Sequence, residues 1–209
     1  MNKKAILHYL NIYESPDEKT LSLIDECIQE VKEIAYFKAT YKFFTLEHHP
    51  LKIKELDLLL DSDDLQFYFQ ACHQCMVIAC TLGIQIDRRI KYYQHENMAK
   101  AVVMDAVSSR YLEECCDAYE KELKLEKHSF RFAPGYGDLP LHLNIPLSKA
   151  LQTDKLLGMA HNSGGLFVPM KSMIGIIGLG IETQKTCLSC IRKVNCSLRK
   201  AGVRCYVND

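Results

Sequence analysis

The sequence has little of what marks several large protein classes. Its charges cancel, with 26 lysines and arginines against 26 aspartates and glutamates, and no run of like charge stands out. A nucleic-acid binder carries a strongly basic patch or stripe, so nucleic acid is not an expected partner. No apolar stretch approaches the roughly 18 residues of a membrane-crossing helix. Met1-Asn2-Lys3-Lys4 leads into a mixed amphipathic segment and lacks the apolar run and small-residue cleavage site of an export signal. The expected setting is cytoplasmic, without a membrane partner. Internal repeats, low-complexity linkers and a regular alternation of strands with helices are also missing, which argues against a parallel sheet and for an α+β fold.

What is present can build a core. Of the 209 residues, 48% are apolar, and the length suits one domain with or without an extension. Ser15-Pro16-Asp17-Glu18 reads as a capping box with proline at the first helical position, followed by Ile24, Cys27, Ile28, Val31 and Ile34 at helical spacing. Residues 40–46 read as a strand, Ser62 as the cap of a short helix carrying Leu65, Phe69 and Cys72 inward, and residues 76–81 as a buried strand. A helix over 87–93 precedes the longest one, expected from about Asn97 to Lys124. One face of that helix holds Met98, Val102, Ala106, Ser109, Glu113 and Cys116. Glu113 is the odd member, because an ionised carboxylate is costly to bury without a partner, unless it reaches solvent at the helix edge. A loop rich in proline and glycine covers 127–146, a helix follows over 147–159, and residues 164–180 read as a hairpin with 168–177 as one strand. The expected fold is α+β: a mainly antiparallel twisted sheet packed with helices, one long central helix, and a cysteine-rich tail. Residues 1–180 form the expected domain, with 181–209 as an extension.

Ten cysteines is a high count for a chain without an export signal. Cys27, Cys80, Cys115 and Cys116 lie in apolar patterns and read as small core residues. Cys72-His73-Gln74-Cys75 has metal-like spacing but straddles a helix end and a strand start, where core packing is the simpler reading. Cys187, Cys190, Cys196 and Cys205 differ, being interleaved with lysines and arginines that favour thiolates. The first pair has metal-ligand spacing, while the full set matches neither a common zinc ribbon nor the usual ferredoxin runs. An iron–sulfur cluster, zinc, and free thiols or disulfides all remain open.

Arg131-Phe132-Ala133-Pro134-Gly135-Tyr136 concentrates binding chemistry. An arginine can hold a carboxylate through two parallel hydrogen bonds. Pro134-Gly135 fixes a turn that presents backbone groups, and Tyr136 offers a flat face and a hydroxyl. Such a set could hold a small amphoteric ligand; an ordinary surface turn is the alternative. Arg-x-Ala-Pro-Gly-Tyr resembles the signature loop of the activation domain of cobalamin-dependent methionine synthase, in its small free-standing form. His8-Tyr9-Leu10, Thr81-Leu82-Gly83, the helix over 101–123 and Pro169-Met170-Lys171-Ser172-Met173-Ile174-Gly175 resemble further parts of that domain.

The resemblance implies S-adenosylmethionine as ligand. Arg131 would take its carboxylate, Ala133 and Gly135 would offer backbone contacts, Tyr136 would lie beside it, and Glu113 would meet its polar groups. It also implies a role in repair, the reactivation of an oxidised corrinoid methyltransferase by reductive methylation of cob(II)alamin to methylcob(III)alamin. The catalytic contribution would be positioning, so no general base is nominated. The chain lacks the Asp-x-His-x-x-Gly motif of a corrinoid carrier, since Met159 stands where the aspartate would precede His161. The cobalamin would come from a corrinoid-binding methyltransferase partner, and the electron from a donor such as flavodoxin or ferredoxin. The sequence departs from the methionine synthase domain at Gly137-Asp138-Leu139-Pro140, as the small free-standing form is expected to, and has no counterpart of a late tyrosine pair. Two other functions stay open: an adaptor that docks on a corrinoid protein without binding ligand, and a cysteine-ligated redox module.

Overall fold

The computed structural model describes residues 1–12, 15–183, 194–195, 197–200 and 202. Along the chain the main elements are α1 (Lys3–Tyr9), α2 (Glu18–Ile34), β1 (Lys38–Glu47), β2 (Lys52–Ile53), β3 (Leu58–Leu59), α3 (Asp63–Phe69), β4 (Gln74–Thr81), α4 (Ile84–Glu96) and α5 (Met98–Glu122). They continue with α6 (Asn144–Leu151), α7 (Thr153–Leu157), β5 (Ala160–His161), β6 (Phe167–Val168) and β7 (Ser172–Gly178). Five strands make an antiparallel sheet in the order β3-β2-β1-β4-β7, and β5 pairs separately with β6. The α+β class and the antiparallel sheet agree with the sequence.

Strand β4 shows how the sheet is buried. Cys75, Val77 and Ala79 point into one apolar cluster and Met76, Ile78 and Cys80 into another. Alternate side chains leave a strand on opposite faces, so a strand buried on both reads as an unbroken apolar run. The second cluster is closed by α1, α2, α4 and α5; the first takes in Leu65 and Phe69 of α3 and Leu147 and Leu151 of α6. Each fully buried large side chain contributes about 1.5–3 kcal/mol.

Helix α5 has 25 residues, a length of about 37 Å at 1.5 Å per residue. Asn97 caps its start by accepting from the Lys100 amide at 3.1 Å. Its buried stripe runs through Ala101, Val103, Met104, Ala106, Val107, Ser108, Leu112 and Cys116. The face expected from the sequence is therefore rotated: Met98 and Val102 are 60% and 52% exposed, while Ser109 and Glu113 sit at the stripe's edge.

Other differences have local causes. The cap of α2 is Asp17, which accepts from the Thr20 amide at 2.7 Å, so Ser15 lies outside the helix. The single helix expected over 147–159 is two, α6 and α7, because Gln152 adopts the left-handed conformation (φ 53°) and breaks the ladder. The expected hairpin over 164–180 does not form: β6 pairs back with β5, and β7 joins β4 of the main sheet. Pro169 separates them, since its ring nitrogen has no hydrogen to donate to a ladder. His161 is the second residue of β5. The four cysteines Cys187, Cys190, Cys196 and Cys205 lie outside the described residues.

Candidate ligand site

The loop before the turn behaves as a partial sixth strand. Phe132 exchanges two backbone hydrogen bonds with Ile176 of β7, both 2.8 Å, and the Ser129 amide donates to the Gly178 carbonyl at 2.9 Å. Alternation then places consecutive side chains on opposite faces. Phe132 is fully buried in the cluster beneath α6, and Arg131 goes to the face covered by α5. Its aliphatic stem lies directly on Gly175 of β7, where an added Cβ would come within 2.1 Å of Arg131 Cγ.

The next four residues close a type II turn. The Tyr136 amide donates to the Ala133 carbonyl at 2.9 Å, Pro134 holds the second position, and Gly135 takes φ +89° at the third. Gly135 also donates to the Leu139 carbonyl at 2.8 Å, folding the following residues back. Asp138 then reaches α3: its carboxylate accepts from Ser62 Oγ and, at 2.7 Å, from the Asp63 amide. Asp138 thus ties the loop to a helix start. No local sequence signal announces this, because the partners are 75 residues apart. The Tyr136 ring stands edge-on to Phe132 with centroids 5.2 Å apart.

Arg131 meets three carboxylates of α5. Its Nη2 donates to Glu113 at 2.6 Å and to Asp117 at 3.2 Å, and its Nη1 donates to Glu120. The guanidinium side chain is 6% exposed; Glu120, Glu113 and Asp117 are 12%, 34% and 51% exposed. Two expected ligand contacts, Arg131 and Glu113, are therefore brought together and bonded to each other. Asp117 and Glu120 escaped the sequence reading, although offsets of four and seven residues from Glu113 place all three acids on one helix face. Burial lifts the Glu120 carboxyl above its ordinary range, with Arg131 acting in the opposite direction. Burial also works against the Arg131 charge, but Glu120 and the other negative neighbours more than offset it and hold the guanidinium protonated.

A second cation lies on the same helix edge. Lys171, 8% exposed, donates from Nζ to Asp105 at 2.7 Å and to Ser109 Oγ at 2.9 Å. An open cleft elsewhere is lined by Ile34, Gln85, Arg88, Arg89 and Tyr92 and takes in none of the loop residues.

Among the described residues no group of three or more histidine, cysteine, aspartate or glutamate side chains could hold a metal ion. Cys72 and Cys75 are fully buried, and burial pushes their thiols up to about 11 and about 12. They are core residues, as expected. None of the helices among the described residues is long and apolar enough to cross a membrane.

Comparison with known proteins gives a structural relative only. No protein-family profile matches the sequence, and no curated protein matches it. Among solved structures, the chain is similar to one described as the MetH reactivation domain bound to AdoHcy. The TM-score is 0.61 and the sequence identity 13%, over 89% of this chain and 73% of that one. At that identity the likeness is one of fold.

Proposed function

We propose that this chain binds S-adenosylmethionine at the Arg131–Tyr136 loop and reactivates an oxidised corrinoid methyltransferase. The observation that carries the reading is the conjunction of two independent likenesses. The Arg-x-Ala-Pro-Gly-Tyr loop resembles that of the methionine synthase activation domain, and the fold is that of a reactivation domain described with AdoHcy bound. The geometry suits the amino-acid end of such a ligand. Arg131 supplies charge-assisted donors, and Glu113, partly open to solvent, can accept from an ammonium group. The type II turn holds the backbone of Ala133 and Gly135 and the Tyr136 ring in fixed relation to Arg131.

A corrinoid brought by the partner would supply the cobalt chemistry, accepting a methyl group as one electron arrives from a donor such as flavodoxin or ferredoxin. This chain's residues hold the ligand's carboxylate and ammonium groups and so fix the position of its methyl sulfonium, a contribution through proximity. They move no proton. Residues 1–180 constitute the ligand-binding domain in this reading. The extension over 181–209 carries Cys187, Cys190, Cys196 and Cys205, a candidate iron–sulfur or zinc ligand set that iron, sulfide and zinc analysis of anaerobically purified protein would test.

The test of function mixes the chain with a corrinoid methyltransferase, a reductant and S-adenosylmethionine. The cob(II)alamin absorption should convert to that of methylcobalamin; no conversion would remove the reactivation reading. One observation favours an alternative. Arg131 is already satisfied by carboxylates of its own chain, as expected of an adaptor that docks on a corrinoid protein and binds no ligand. Calorimetry with S-adenosylmethionine separates the two, since an adaptor gives no heat of binding.

A further inference from the structure

Three acids around one base is an uneven arrangement, and its two ends differ. Nη1 of Arg131 bonds Glu120, whose side chain is 12% exposed, while Nη2 is shared by Glu113 and Asp117, at 34% and 51%. Nη1 therefore marks the interior end of the guanidinium and Nη2 the solvent end. Below, the stem rests on the Gly175 backbone, so the side chain is fixed from the sheet side as well. The titratable and charged groups around Glu120 are Arg131 and His128 from the loop and Asp117 from its own helix.

A ligand carboxylate arriving from solvent meets Nη2 first. Of the two acceptors there, Asp117 makes the longer bond, 3.2 Å against 2.6 Å, and is the more exposed. It is the one whose loss costs least, because water can solvate it as it leaves. Glu120 cannot leave so easily. It is the least exposed of the three acids, and without Arg131 it would be a largely buried carboxylate short of its partner.

We infer that Glu120 is a positioning residue, holding Arg131 from the interior so that Nη2 faces the ligand, and that Asp117 occupies Nη2 until a ligand carboxylate replaces it. This rests on the proposed binding of S-adenosylmethionine and specifies how that site is held ready. Neither residue is catalytic: Glu120 acts only through Arg131, and Asp117 is displaced.

The experiment compares S-adenosylmethionine with its decarboxylated analogue by calorimetry, in the wild-type chain and in variants. A charge-assisted hydrogen bond is worth about 1.5–3 kcal/mol, so the wild type should prefer the carboxylate-bearing ligand by roughly ten- to a hundredfold. Glu120→Ala should reduce that preference to about threefold or less while leaving the affinity for the decarboxylated analogue nearly unchanged. Glu120→Gln, which keeps an oxygen facing Nη1 but loses the charge, should leave the preference two- to threefold below wild type. Asp117→Asn should tighten binding of the carboxylate-bearing ligand by about threefold, by weakening the resident competitor. A purely structural role for Glu120 would weaken both ligands alike and leave their ratio intact, which overturns the assignment. Weaker binding in Asp117→Asn overturns the displacement. If Glu120→Ala does not fold, Glu120→Gln decides alone: a preference two- to threefold below wild type supports the inference, and an unchanged one overturns it. A wild type that binds both ligands equally refutes the role of Arg131 itself, and a wild type that binds neither refutes the proposed function. Both outcomes are distinct from failure of the Glu120 assignment alone.

Discussion

Helix α5 receives two buried cations along one edge, and they are treated differently. Lys171 donates to one carboxylate, Asp105, and one hydroxyl, Ser109. Arg131 faces Glu113, Asp117 and Glu120. Asp87 stands near Lys171 as well, but only Asp105 accepts from its ammonium group, so no two acids share its donors. Arg131 has more acceptors than its charge requires, and one of them is half exposed. A buried cation bonded to a single acid is what a fold uses to pin a strand to a helix. A surplus of acceptors around a single donor group is what a site shows when one partner can be exchanged. The two cations let structure and ligand binding be separated experimentally on one helix.

The largest effects should fall on the arginine. Arg131→Ala should abolish measurable S-adenosylmethionine binding in calorimetry with the fold retained by circular dichroism. The accompanying loss of stability should be about 1–3 kcal/mol, below that for breaking a fully buried pair because Glu113 and Asp117 can turn to water. Unchanged affinity would sink the site. Gly175→Ala comes next and attacks the same side chain from below. The new methyl would have to displace Arg131 Cγ and Cδ, at 2.1 and 2.6 Å, so it should cost about 1–3 kcal/mol and weaken binding at least tenfold. Tight binding in a stable Gly175→Ala variant would show that Arg131 does not need to lie on β7. Lys171→Met supplies the contrast: about 1 kcal/mol lost in urea unfolding, given that Asp105 is half exposed, with ligand affinity within twofold of wild type. A collapse of affinity there would make the two cations one functional unit.

Much of this pairing could be read from the sequence, and some could not. The long helix, the buried strand over 76–81 and the cap at Ser62 were legible because each rests on local patterns: helical spacing, an apolar run, and a hydroxyl before a helix start. The turn was legible because proline and glycine have only a few places to sit. The face of α5 was misread because Met98 and Val102 fit an apolar period, and nothing local says that they are left uncovered. Lys171 was passed over because its partners lie 62 and 66 residues away. Glu113 was singled out as a ligand contact while Asp117 and Glu120 were missed, although all share one face. A carboxylate stands out in an apolar stripe and is overlooked at its polar edge. The pairing of 128–132 with β7 decides where Arg131 points, and it depends on contacts across more than 40 residues of chain.

The smallest expected effect is a change of slope, and it tests the interior end of Arg131 without any ligand. Burial raises the Glu120 carboxyl in the folded chain above its ordinary value, the larger influence, against the opposing pull of Arg131. The native state therefore holds this proton to higher pH than the unfolded chain does. The resulting contribution to stability is fully present below the ordinary carboxylate value, about 4.3, and is lost as pH rises through the folded value. A glutamine at this position carries no titrating proton, so Glu120→Gln should lack that decline while keeping every other carboxylate. Urea unfolding of both proteins at several pH values from about 4 upward should show the wild type losing stability relative to the variant as pH rises through that window. A wild type that instead gains on the variant would mean that attraction to Arg131 outweighs burial at Glu120. The interior partner would then be an ordinary salt bridge, and the contrast between Arg131 and Lys171 would narrow to the number of acids each one faces.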